Sequence, residues 1–233
     1  MINAGVLASQ VRRAAGGTDP LFANVQLLMH MDGLNGSTTF VDSSASPKTL
    51  TANAGGVIGT DKSVFGGASG RFTATNDSRV DVAAADSLKL VGEFCVEFRL
   101  LMNELSNSFQ FVSNTSSAYL WVRSNSTSIR AYFAGTETVS VPYTPGVWQA
   151  IAITRDASNN VRFFVDGVQQ GASFTKTANQ TTAPNLQIGS APAVAGAGAG
   201  GRCYIDELRI TIGSARYTSD YTPAAGPFPN SGP

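Results

Sequence analysis

Charge is scarce in this chain. Only 14% of its 233 residues are Asp, Glu, Lys or Arg, and the 16 basic and 16 acidic residues cancel. Such a balance excludes long-range capture of a polyanion. No basic run exceeds Arg12-Arg13, so no nucleic-acid stripe exists either. Histidine occurs once, as His30, and cysteine twice, as Cys95 and Cys203. Two cysteines do not make a disulfide framework, and the lack of any C-x-x-C excludes the common zinc spacing. Free buried thiols and a single bridge between neighbouring strands both stay open. No apolar run is long enough to span a bilayer, which excludes helical membrane insertion. The segment Met1 to Arg13 lacks the charged start and apolar core of a secretory signal, so an aqueous compartment is expected. Long amphipathic helices and internal repeats are missing as well.

What is present is alternation. Cys203-Tyr-Ile-Asp-Glu-Leu-Arg-Ile-Thr-Ile212 reads at period two, with Tyr204, Asp206, Leu208, Ile210 and Ile212 on one face. Cys203, Ile205, Glu207, Arg209 and Thr211 fall on the other. This register sets Asp206 among the apolar residues, where a carboxylate needs a partner or a metal. Phe94, Val96, Phe98 and Leu100 alternate in the same way within Glu93 to Leu101. Further short strands are predicted at Val25 to Met31, Phe109 to Val112, Tyr119 to Arg123, Ser128 to Phe133 and Thr138 to Val141. Val147 to Thr154 is apolar on both faces and reads as a central strand. Asp156 to Asn160 then joins it to Val161 to Val165, and Asp166-Gly167 is the strongest hairpin signal in the chain. Ala191 to Gly201 is a low-complexity loop. The pattern predicts an all-β, antiparallel two-sheet sandwich over residues 25–228. A short tail, 229–233, follows it.

Residues 1–24 form an amino-terminal arm, extended or briefly helical, too short to hold a helix alone. Ile2, Val6, Leu7 and Val11 are its apolar positions and the residues expected to bury against a partner. Packing onto its own domain is the competing expectation.

Several segments together resemble one family. Leu27-Leu-Met-His-Met-Asp-Gly33 looks like its opening strand and Ser63-Val-Phe-Gly-Gly-Ala-Ser-Gly-Arg-Phe72 like its glycine turn. Glu93 to Arg99, Gly146 to Arg155 and Val161 to Val168 match its central strands, and Tyr204 to Ile210 its closing strand. The family is the laminin-G-like branch of the concanavalin A-like lectin/glucanase superfamily, a jelly roll of two curved sheets. The ending Ile212 to Pro223, running on to Pro227-Phe-Pro229, resembles the version in tailed-bacteriophage structural proteins. The resemblance implies a non-enzymatic virion protein, assembled in the host cytoplasm, of the capsid-decoration or head-fibre type. Its arm would dock on capsid or other virion proteins, and a trimer suits such architectures. A chain starting at its own methionine, without shaft sequence, fits the compact role. The alternative is a carbohydrate- or receptor-binding module of a tail fibre, with a host-surface glycan as partner.

The resemblance also implies site residues. No cofactor is required, but a structural calcium is implied, held by Asp206 and Asp32 with backbone carbonyls of a turn such as Gly67 to Gly70. The competing reading has Asp206 accepting backbone amides or pairing with Arg71. Glucanases of the superfamily need paired carboxylates on one strand face. Here Glu97 and Glu137 stand apart, with no Glu-x-Asp-x-x-Glu and no Gly-x-Ser-x-Gly, so no catalytic residues are assigned. His30 reads as an ordinary strand histidine. Tyr119 and Trp121, at i and i+2, are expected to share a face; Trp121 and Trp148 are both expected in the core.

Overall fold

A computed structural model describes residues 17–72, 78–103, 110–114, 119–124, 127–138, 140–189 and 203–233. Among them the fold is two antiparallel sheets with only two single-turn 3-10 helices, Phe22–Asn24 and Asp86–Leu88. The nine-stranded sheet runs Val168–Gln169, Asn160–Val165, Gln149–Arg155, Phe94–Met102, Cys203–Ile212, Ser69–Phe72 and Val57–Gly59. Val25–Met29 lies beside the second half of Cys203–Ile212, and Phe174–Thr175 beside Asn160–Val165. The eight-stranded sheet runs Thr136–Glu137, Ser128–Phe133, Leu120–Ser124, Gln110–Asn114, Leu186–Gly189, Arg79–Val82 and Leu50–Asn53. Val141–Pro142 adds to the Ser128–Phe133 strand. No described helix is long and apolar enough to cross a membrane.

One core fills the space between the sheets. Phe94, Val96, Phe98, Leu100, Ile151 and Ile153 enter it from the nine-stranded sheet, and Val80, Leu120, Val122, Ile129, Phe133 and Ile188 from the other. The Phe94 and Phe133 rings meet across it at 5.0 Å. Each strand supplies every second residue, as the pleat requires, so the remaining side chains line two outer faces. The Asp166-Gly167 signal is realised as a two-residue turn between the paired Val165 and Val168, with φ of 51° and 82°.

The alternation of Cys203–Ile212 is broken by a bulge. Its pairing with Phe94–Met102 shifts register between Asp206 and Arg209, and Glu207 takes a left-handed φ of 51°. The extra residue swaps the faces at midpoint. Cys203 and Ile205 enter the core in the first half, Leu208 and Ile210 in the second. Asp206 is therefore not on the core face that simple alternation predicts. The bulge places its carboxylate against the 63–66 turn, where Val64 and Phe65 donate backbone N–H to Oδ2 at 2.8 and 3.1 Å. Arg71 pairs with Asp61 at 3.6 Å.

The same alternation separates the cysteines. Cys203 sits in the core, whereas Cys95, between Phe94 and Val96, faces outward beneath the carboxyl-terminal segment. Both are buried free thiols, pushed well up in pKa by desolvation.

The arm boundary predicted at residue 24 also shifts. The Asp19 backbone N–H donates to the Ser231 carbonyl at 2.9 Å, and Asp19 is buried beside Arg209. Phe22 and Ala224 pack on a small cluster of Val25, Leu28 and Phe228. Residues 19–24 and the 229–231 part of the predicted tail are thus part of the sandwich. Ile2, Val6, Leu7 and Val11 lie outside the described residues, as does the 191–201 loop.

Candidate functional site

The two outer faces differ sharply. That of the nine-stranded sheet is closed by the chain's own ends. Arg209 donates from Nε and Nη2 to Glu97 Oε1 at 3.0 and 2.8 Å, and from Nη1 to Asp19 Oδ2 at 3.0 Å. Arg216 donates to both Asp19 oxygens, and the Tyr217 hydroxyl to Glu97 Oε2 at 2.8 Å. The Phe228 ring covers the Arg209 guanidinium at 3.8 Å. Tyr217 and Tyr221 stack at 3.5 Å beneath the same strap, and burial drives both phenols far up. His30 Nδ1 lies 3.0 Å from Glu207 Oε2, which also accepts the Phe228 amide, while Nε2 meets Asn230 Oδ1. His30 is a buried link to the tail. The cavity between strap and sheet has room for about one water.

The outer face of the eight-stranded sheet has no such cover among the described residues. Pairing aligns one row across seven strands: Glu137, Tyr132, Trp121, Ser113, Gln187, Asp81 and Thr51. Trp121 and Tyr132 stack with ring centroids 4.9 Å apart. Arg123 and Arg130 are cross-strand partners in the next row, and both pair with Glu137, the latter at 2.9 Å. The Arg123 guanidinium lies 5.6 Å from the Trp121 ring. At the other end Asp81 accepts from Arg79 Nε, Asn53 Nδ2 and Gln187 Nε2 at 2.8, 2.6 and 2.9 Å. Trp121, Tyr132, Arg123 and Arg130 are all half-buried.

Part of this face's hydrogen-bonding capacity is not met by the described residues. Trp121 Nε1, Arg123 Nε, Arg130 Nε and Gln187 Oε1 are buried atoms with no hydrogen-bond partner among the described residues. A buried polar atom that nothing completes costs roughly 1–3 kcal/mol. Natural surfaces tolerate a cluster of these where a ligand or water completes them.

A profile of the concanavalin A-like lectin/glucanases superfamily, in its laminin-G-like form, matches residues 73–213, more than half the chain. The chain belongs to that family. The match spans Leu120–Ser124, Ser128–Phe133 and Leu186–Gly189, which carry the open face, and Cys203–Ile212. No curated protein matches. Among solved structures, the receptor-binding domain of botulinum neurotoxin type G superposes with TM-score 0.62 at 13% identity, covering 83% of this chain and 49% of that one. The binding domain of Paraclostridial mosquitocidal protein 1 gives 0.63 at 14%, over 84% and 50%. Botulinum neurotoxin type C, whose passage into cells depends on interaction with two ganglioside molecules, gives 0.64 at 10%, over 82% and 48%. These likenesses are of fold, and the chain spans about half the length of each.

Within the family's jelly roll, the carboxylates considered for catalysis do not converge. Glu97 is clamped under the strap of one sheet and Glu137 lies on the other. On the open face Glu137 and Asp81 are five strand steps apart, about 24 Å at the usual strand spacing. A glycosidase pair needs about 5–9.5 Å. Trp121 does not share a face with Tyr119. Tyr119 packs edge-on against the core ring Phe133 at 5.0 Å, while Trp121 joins the outer row. Neither tryptophan is in the core: both are half-buried. The row itself escaped sequence reading, because it is assembled by cross-strand register between distant segments.

Asp32 and Asp206 both reach the glycine turn. Asp206 takes the amides of Val64 and Phe65, and a Cβ added at Gly66 would fall 1.9 Å from Asp32 Oδ1. Two carboxylates beside a turn rich in carbonyls are the oxygen donors a hard cation prefers. No group of three or more His, Cys, Asp or Glu ligands gathers among the described residues, so backbone oxygens would supply the remainder.

Proposed function

We propose that this chain is a non-catalytic glycan-binding module whose binding surface is the outer face of the eight-stranded sheet. The observation that carries this is the row centred on the Trp121–Tyr132 stack, with polar groups on both sides of an aromatic platform. Sugars offer apolar C–H faces ringed by hydroxyls, and such a surface provides an aromatic plane plus donors and acceptors in fixed positions. The similarity to binding domains of toxins, one of them ganglioside-dependent, supports the same reading. The test is a glycan array followed by calorimetry. Wild type is expected to bind a defined set of glycans, and Trp121→Ala to weaken binding by about 30-fold, the size of a loss of ~2 kcal/mol at a hot spot. A flat array, or an unchanged affinity in Trp121→Ala, defeats the reading.

A second reading, favoured by the phage-like ending, is a virion structural protein of the decoration or head-fibre type. That ending is the strap on the nine-stranded sheet, and the arm joins the body there through Asp19 and Ser231. A body anchored at that side would present the row outward, so the two roles are compatible. Deleting residues 1–16 and measuring attachment to stripped particles tests it; undiminished attachment removes the docking role of Ile2, Val6, Leu7 and Val11. We also propose that Asp32 and Asp206, with carbonyls of the glycine turn, hold a structural calcium. Millimolar calcium is then expected to raise Tm over that in chelator by several degrees. An unchanged Tm leaves Asp206 as an anchor of the turn alone.

A further inference from the structure

We infer that the glycan taken by the open face is acidic, with a carboxylate or sulfate seated beside Arg123 and Arg130. This rests on the glycan-binding reading of that face and narrows it to a ligand class.

The argument starts from a charge count. The eight strands of this sheet carry three arginines, Arg79, Arg123 and Arg130, against two carboxylates, Asp81 and Glu137. Arg79 is neutralised by Asp81 at 2.8 Å. Among the described residues Arg123 and Arg130 share one carboxylate, Glu137, and so retain one positive charge between them. In a chain with no net charge and few ions, two arginines set as cross-strand partners are an expensive arrangement, because like charges directly opposite repel. One anion, Glu137, offsets only part of this. A second anion would balance the pair, and guanidinium groups suit carboxylate and sulfate oxygens by their forked donors.

Position supports the same ligand. The Arg123 guanidinium is 5.6 Å from the Trp121 ring, so a sugar stacked on that ring carries its substituents within reach of the pair. The Nε of each arginine is buried without an acceptor among the described residues, and a side-chain shift onto a ligand oxygen would satisfy it. On the far side of Trp121, two strands away and therefore about 10 Å off, Gln187 has its Oε1 without a donor among the described residues. A hydroxyl of a neighbouring sugar suits that acceptor. The ligand so described has an anionic group at one end, an apolar ring face in the middle and a hydroxyl at the other end, about the extent of a disaccharide.

The experiment compares matched pairs by calorimetry: 3′-sialyllactose against lactose, and a glucuronate-terminated disaccharide and a sulfated lactose against their neutral parents. The expected result is at least tenfold tighter binding of one or more acidic members, with an advantage that shrinks as salt is raised. In Arg130→Gln, checked for native circular dichroism, the acidic-to-neutral ratio should fall towards one. The sialyl, uronic and sulfated arms separate the carboxylate and sulfate sources. Equal affinity within every pair overturns the acidic class but leaves the glycan-binding reading standing. Preserved acidic preference in Arg130→Gln and Arg123→Gln also overturns it. No binding of any member, together with a flat array, overturns both.

Discussion

Arg209→Met is expected to cost about 3–5 kcal/mol of stability, the usual price of removing one partner from a buried ion pair. The reason lies under the carboxyl-terminal strap. Arg209 is 5% exposed and is the shared cation between Glu97 and Asp19, which are each 4% exposed. Methionine keeps most of the volume and the contact with Phe228 but strands two buried carboxylates, leaving Arg216 and the Leu21 amide on Asp19 and Tyr217 on Glu97. In a domain this size the loss corresponds to a fall in Tm of about 6–20 °C. The double variant Arg209→Met/Glu97→Gln should recover part of it, since one stranded charge is removed with its partner. Calorimetry on the single and double variants checks both statements. A single variant within ~1 kcal/mol of wild type would show the strap to be loosely held.

The same network fixes an acid limit. Burial alone would raise the Asp19 carboxyl, but hydrogen bonds from Arg216 and the Leu21 amide, with the charges of Arg216 and Arg209, bring it below its ordinary 3.8. A carboxyl depressed in the folded state contributes stability that is present above its unfolded pKa and lost as pH falls through the folded one. Asp61 and Asp156 are depressed as well, and act in the same direction. Stability should therefore drop below about pH 4, and Asp19→Asn should flatten that drop while lowering stability at neutral pH. Urea midpoints across pH 3 to 7 measure it; an equally steep drop in Asp19→Asn would remove Asp19 from the account.

Arg155→Met is expected to be at least as damaging, by about 4 kcal/mol, in the range reserved for changes that strand several buried polar groups. Arg155 has 0% exposure and occupies the inward position after Ile151 and Ile153. It lies 5.4 Å from the Phe94 ring and 5.5 Å from the Phe133 ring, one from each sheet. Its Nε donates to the Gly92 carbonyl at 2.6 Å, Nη1 to Ala178 at 2.5 Å and Nη2 to Asn179 Oδ1 at 2.5 Å. These acceptors belong to connecting segments that no strand pairing satisfies, so one guanidinium ties two loops to the end of the core. Desolvation lowers its pKa, yet an arginine stays charged. Lysine offers a single nitrogen in place of the fork, so Arg155→Lys should recover little. Thermal unfolding of both variants is the check, and a wild-type Tm in either would contradict this role.

Much of the fold is written locally. Ser128–Phe133, the core face of Phe94–Met102 and the Asp166-Gly167 hairpin follow from alternation and turn chemistry within a few residues. Leu50–Asn53, Arg79–Val82 and Leu186–Gly189 do not, because each is four residues long and acquires strand structure only from partners far away in the chain. The bulge at Asp206 and Glu207 is invisible for another reason. A left-handed Glu207 is an unfavourable local choice that the surrounding pairs and the Glu207–Phe228 and Glu207–His30 contacts impose. Arg155 falls at the end of the Gly146 to Arg155 strand match, but its burial is not legible there, because burying a cation is the rarer outcome. The candidate site was only partly legible: Trp121 was visible as an aromatic on a strand. Its neighbours Tyr132, Arg123, Arg130 and Gln187 become a surface only once four strands are set in register.

The glycan face is tested most directly at the indole of Trp121. The chain has two tryptophans, so a nitrogen-15 spectrum holds two indole N–H signals, assigned by Trp148→Phe. Titration with the tightest array glycan should move the Trp121 signal saturably, along with backbone amides of Leu120–Ser124, Ser128–Phe133 and Leu186–Gly189, and leave the Cys203–Ile212 strand still. A bound glycan that leaves the Trp121 signal in place, or that shifts the strapped face instead, would contradict the account.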